Sequence, residues 1–150
     1  MRISINVRKV FIAAFSLFVL LLAAAPAMAE VASFRNEEQV PARLAFMGEQ
    51  KDGGWIVAGW IELDPDDVFE LPMDTIKGDQ LYVHVEFADS KIIQFMDDDN
   101  PVKEAWVVDE DFEHYAPDTQ FEGENSRKAT FIKVVPSDGE LWFNLNSAAG

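Results

Sequence analysis

Between Lys51 and Leu63 the chain reads KDGGWIVAGWIEL, and this stretch narrows the choice of fold more than any other. Asp52, Gly53 and Gly54 supply the positive backbone angles of a tight reversal, and apolar runs flank them on both sides, so a hairpin is expected. Upstream, Ala42, Leu44 and Phe46 alternate with Arg43, Ala45 and Met47, which makes one face apolar and the other mixed. Downstream, strict alternation puts Trp55, Val57, Gly59 and Ile61 on one face and Ile56, Ala58, Trp60 and Glu62 on the other. Both faces carry bulk, as they do in the middle of a sheet. Gly59 weakens such a strand unless something packs over its missing side chain. A bulge there, or a ring crossing it from a neighbouring strand, is therefore expected.

The same grammar recurs along the chain. Phe34, Arg35 and Asn36 read as a short first strand, stopped by Glu37, Glu38, Gln39 and Pro41. Asp64-Pro65-Asp66-Asp67 is a turn with proline pre-set for its second position. Val68 to Leu71 reads as a strand and Pro72 to Gln80 as a loop. Leu81 to Phe87 alternates most cleanly, with Leu81, Val83, Val85 and Phe87 opposite Tyr82, His84 and Glu86. Ala88 to Lys91 then turns the chain into Ile92 to Phe95, a second hairpin. From Met96 to Lys128 only Ala105 to Val108 reads as a strand. The remainder is either a functional excursion or holds a helical turn around Asp109 to Tyr115. Thr130 to Val135 and Leu141 to Leu145 close the chain as a hairpin across Pro136-Ser137-Asp138-Gly139. About eight short strands and no long helical period imply an all-β antiparallel sandwich or small barrel, one domain over residues 30–150.

The first residues concern address rather than fold. Arg2, Arg8 and Lys9 precede an apolar run from Val10 to Ala25, then Pro26 and Ala27-Met28-Ala29, the three regions of a secretory signal. Cleavage after Ala29 is expected, with the bacterial periplasm or the exterior as destination; the competing reading is an uncleaved anchor. The chain carries 12 Lys and Arg against 27 Asp and Glu, a formal net charge of −15, and loss of the leader removes three bases and no acid. Phosphate backbones need a basic footprint, so a nucleic-acid partner is disfavoured, as is an anionic membrane surface once the leader is gone. A basic protein or peptide is the partner this field would draw. With no cysteine, stability rests on core packing.

The order of features resembles the bacterial DUF1036 family. Phe34-Arg35-Asn36, Ala42 to Phe46, Asp52-Gly53-Gly54-Trp55 with Gly59-Trp60, Asp64-Pro65, and Leu81-Tyr82-Val83-His84-Val85-Glu86 follow its sequence of motifs. Trp106-Val107-Val108 with Phe112, and Gly139, Trp142, Phe143 and Leu145, follow its closing strands. The resemblance implies an exported domain of unknown function, and it brings no catalytic residue with it.

Chemistry is sparse. Asp97, Asp98, Asp99 and Asn100 invite a hard cation, but no glycine stands at the sixth position of the run and Pro101 interrupts it, so a solvated turn is the expectation. Glu62, Asp64, Asp66 and Asp67 form a second acidic group with the same weakness. His84 shares a face with Tyr82 and Glu86, yet no nucleophile stands near it, and His114 lies in the irregular third. Cross-strand pairing is expected of His84, with a hydrolase the least favoured reading. No metal or cofactor is expected. Trp55 and Trp142 read as core residues, whereas Trp60, pointing away from Trp55, reads as contact surface. The expected function is a non-enzymatic interaction module that uses Trp60 with Asp97, Asp98 and Asp99. The alternative is a small-ligand or carbohydrate binder that uses Trp60 and Tyr82.

Overall fold

A computed structural model describes residues 31–91, 100–115, 125–135 and 140–146. All regular structure among the described residues is β. The strands are β1 (Val31–Asn36), β2 (Ala42–Gln50), β3 (Trp55–Leu63), β4 (Val68–Pro72), β5 (Ile76–Phe87), β6 (Val102–Val107), β7 (Phe112–His114), β8 (Arg127–Lys133) and β9 (Trp142–Leu145). They form a three-stranded sheet in the order β4-β1-β9 and a six-stranded sheet in the order β6-β8-β5-β2-β3-β7. The larger sheet curls into a half-barrel.

The alternation of β2 and β5 builds two cores on opposite faces of the large sheet. Leu44 and Phe46 of β2 and Leu81, Val83 and Val85 of β5 join Phe34, Phe69, Leu71 and Leu145 of the small sheet in the first core. Ala45, Met47 and Tyr82 face the other way and meet Ala105, Val107, Phe112, Ala129 and Phe131 in the second. A strand clothed on both sides must be apolar at nearly every position, which is why β2 and β3 read as continuous runs. The Gly53 and Gly54 turn, both with positive φ, joins them as the sequence predicts.

A bulge in β3 decides which side chains enter which core. Leu44 pairs with Ile61 and Ala45 with Gly59, so Trp60 is the extra residue. Beyond it the phase of the strand reverses. Ile61 and Leu63 join Ile56 and Ala58 in the first core, and Trp60 joins Val57 in the second, with Trp55 packed against them. Uninterrupted alternation would set Trp60 opposite Trp55; the bulge corrects this and puts both rings on one side. At Gly59 a Cβ would meet Ala45 Cβ and Phe112 Cε1, each at 3.0 Å. The bulge and the crossing ring are thus both present, the ring coming from β7.

Four other expectations change. The chain from Pro72 to Gln80 is not all loop, because β2 runs on to Gln50 and pairs there with Ile76, which starts β5 early. Asp109 to Tyr115 holds no helical turn, since Phe112, Glu113 and His114 supply the backbone partners that the outer edge of β3 needs. Thr130 to Val135 and Leu141 to Leu145 are not hairpin partners, for β8 stays in the large sheet while β9 crosses to the small one. There β9 lies parallel to β1, and Phe143 stacks on Phe34 with centroids 5.3 Å apart. The sheets are consequently antiparallel except for that pair. The expected leader, the strand Ile92 to Phe95, the turn at 136–139 and the acidic run Asp97, Asp98, Asp99 lie outside the described residues.

Gly59→Ala is expected to destabilise the protein by about 1–3 kcal/mol, the usual cost of forcing a methyl group into a filled site. Urea denaturation of Gly59→Ala, Phe112→Ala and the double variant tests this. The two losses should be less than additive, because removing the ring opens the space that the methyl group needs.

Candidate functional site

Trp60 and Tyr82 are brought to the same concave face, but neither is open surface: they are 3% and 4% exposed. Burial in the second core, a consequence of the bulge for Trp60 and of strand alternation for Tyr82, removes both as ready-made platforms. Trp142, expected in the core, is 44% exposed on the outer side of β9, and its Nε1 donates to Asn144 Oδ1 at 3.0 Å.

One end of the concave face is a charged cluster built around Glu86. Arg43 of β2 stands directly opposite Glu86 of β5 and donates to Oε1 from Nε at 3.1 Å and from Nη2 at 2.8 Å. Arg127 of β8 donates to Oε2 at 2.6 Å. His84 Nε2 lies 2.8 Å from the same oxygen, and its Nδ1 lies 2.9 Å from the Thr130 carbonyl oxygen. Asp109 closes the outer side, 3.3 Å from Arg43 and 3.7 Å from Arg127. Beneath them the Arg43 guanidinium sits 4.1 Å from the centre of the Trp60 ring, whose Nε1 donates to the Val108 carbonyl at 2.8 Å.

Every polar atom at the centre of this cluster has a partner. Both nitrogens of His84 face acceptors, so neither is open to a substrate. Burial alone would raise the Glu86 carboxyl, but the hydrogen bonds from His84, Arg43 and Arg127 outweigh it and hold the group well below the usual carboxylate range. The arrangement is a cross-strand clasp: β5 and β8 pair through Tyr82 with Lys133 and Val83 with Ile132, and His84 and Glu86 carry the link onward to Thr130 and Arg127. A groove of about 510 Å³ lies beside it, lined in part by Val85, Phe87, Thr130 and Ile132. Among the described residues no group of three His, Asp or Glu side chains is placed to hold a metal ion.

The other end of the face is aromatic. Trp55 and Tyr82 lie with ring centroids 6.0 Å apart, and Lys103 of β6 reaches over both, its Nζ 4.9 Å from the Trp55 centre and 5.7 Å from that of Tyr82. Lys77 Nζ holds Glu49 at 2.6 Å at the same end. Burial first, then the negative charges of Asp79 and Glu49, raise the Tyr82 phenol above its ordinary value. Sequence reasoning reached His84, Tyr82 and Glu86 as one face but missed Arg43, Arg127, Asp109 and Lys103. Only Arg43 left a signal, a charge at an in-facing position of an otherwise apolar strand.

Compared with protein-family models, with characterised proteins and with solved structures, the chain matches none.

Because Glu86 is depressed on folding, its contribution is complete above the unfolded carboxyl range, near about pH 4.3, and is lost as pH falls through the lower folded range. The stability gap between wild type and Glu86→Gln is expected to be about 1–3 kcal/mol near neutral pH. It should close progressively below about pH 4. Urea denaturation across that range measures it, and a gap that does not change with pH contradicts the clasp.

Proposed function

We propose that this chain is an exported, periplasmic interaction module without enzymatic activity, and that its partner is a basic protein or peptide. The observation that carries the reading is the acid excess, a net charge of −15 that loss of the expected leader deepens. Such a field draws cations and cationic chains and speeds their encounter. The clasp supports a non-catalytic role. His84, the side chain best suited to acid–base chemistry, has both nitrogens engaged, Nδ1 with the Thr130 carbonyl of β8 and Nε2 with Glu86 of its own strand. The basic side chains Arg43 and Arg127 are likewise engaged by Glu86 and Asp109.

A second reading, a sugar-binding surface, is favoured by one observation. Trp142 presents its ring on the outer face of the small sheet beside Asn144, and an exposed ring with polar neighbours suits a pyranose face. That surface replaces Trp60 and Tyr82 in the carbohydrate alternative.

Ionic strength separates the two. Affinity for a lysine-rich peptide, measured by titration calorimetry, is expected to fall at least about tenfold as salt rises from roughly 20 mM to 500 mM. A salt-independent affinity contradicts the charge-driven reading. An oligosaccharide that raises the melting temperature of wild type but not of Trp142→Ala establishes the sugar surface instead.

A further inference from the structure

We propose that Trp55 and Tyr82, with Glu49 and Asp79 beside them, form a binding site for the ammonium group of a lysine side chain on a basic peptide, and that Lys103 occupies this site in the unliganded protein. The inference rests on the basic-partner reading and adds the place and chemistry of the contact.

Two electron-rich rings with centroids 6.0 Å apart and planes inclined at 53° stand close enough for one ammonium to lie over both. An ammonium is already seated there: Lys103 Nζ lies within 5.7 Å of both ring centres. Lys77, the neighbouring cation, is held by Glu49 at 2.6 Å. After burial, Asp79 and Glu49 are what raise the Tyr82 phenol, so carboxylates stand near the rings, Glu49 being shared with Lys77. Among the described residues no ion pair holds the Lys103 ammonium; its contacts are with the two rings. Lys103 is exposed, on an edge strand of the large sheet, between exposed Val102 and Glu104. A long, exposed side chain can swing away at small cost, which uncovers the face of Tyr82 and leaves Trp55 as the outer wall. A peptide lysine would then take the same position, with the acid excess of the protein supplying the long-range attraction.

Removing the internal competitor should tighten binding. In titrations of the purified protein with a trilysine peptide, Lys103→Ala is expected to raise affinity about two- to fivefold, the scale of an exposed cation–π contact. Trp55→Ala is expected to lower it by at least the same factor. Lys91→Ala removes an equal charge at the far end of β5, beside Asp89 and Glu38, and should leave affinity within about twofold of wild type. If Lys91→Ala tightens binding as much as Lys103→Ala, the gain is bulk charge and the proposed site is wrong. Should Trp55→Ala fail to fold, the Trp55 indole N–H resonance of the wild type reports in its place: it must shift on titration. A peptide that binds in a salt-sensitive way without moving that resonance overturns the site and leaves the basic-partner reading standing. A peptide that binds neither wild type nor Lys103→Ala overturns both.

Discussion

The extra residue at Trp60 is the constraint on which the rest of the large sheet depends. A strand that kept strict alternation through Gly59 would send Ile61 and Leu63 to the concave side with Val57 and turn Trp60 toward the small sheet with Ile56 and Ala58, and neither core would close. The bulge lets one strand serve both. Before it, Ile56 and Ala58 fill the space against the small sheet; after it, Ile61 and Leu63 continue to do so. Trp60, turned to the concave side, supplies the floor on which Arg43 lies and the N–H that ties Val108. Gly59 is the residue that makes this possible, since Ala45 and Phe112 fill the space where its side chain would stand.

Once Trp60 is on the concave side, the large sheet has reason to curl. The second core draws on β2, β3, β5, β6, β7 and β8 together, and among the described residues no other sheet packs on it, so the strands at the two edges bend in over it. His114 of β7 comes within hydrogen-bonding reach of the Trp106 carbonyl of β6 at 3.2 Å, which brings the opposite edges of the sheet side by side. This leaves a face closed by charge at one end and by aromatic rings at the other. Charged side chains at the Glu86 end are tolerable because each has a counter-charge and a hydrogen bond, without which their partial burial would be destabilising. At the other end the closing contact is a single long lysine over two rings, a far weaker seal.

The readable part of this structure lay where a strand kept its period and its partner was close in sequence. Ala42 to Met47 and Leu81 to Phe87 show their two faces because no bulge breaks those segments, and the Gly53-Gly54 reversal names its own hairpin. The need for a bulge or a ring at Gly59 was also visible, since a glycine between tryptophans has no other good explanation. What could not be seen was the consequence, because the side on which Trp60 emerges depends on where in the strand the extra residue falls. The short β7 was hidden by its length, as three residues carry no period. The crossing of β9 to the small sheet was hidden by distance, because its pairing with β1 joins the two ends of the domain and leaves no local trace. The clasp shares that difficulty: Arg43, Glu86, Asp109 and Arg127 are scattered along the chain, and only His84 and Glu86 are near enough to be read as neighbours. Asn36 stands between these cases. Its place at the end of a short strand was legible, but not that its side chain is fully buried there, donating to the Val40 and Leu63 carbonyls and accepting from the Glu38 N–H.

The placement of Trp60 is the point on which both cores and both ends of the concave face turn, and its through-space contacts report it directly. Nuclear Overhauser spectra of the protein should connect the Trp60 indole protons to the ring of Phe112, whose centroid lies 5.8 Å away, and to the side chain of Arg43. Cross-peaks from Trp60 to Phe46 or Phe69 of the first core, with none to Phe112, would mean that the strand keeps its phase through Gly59 and that this account of the fold is wrong.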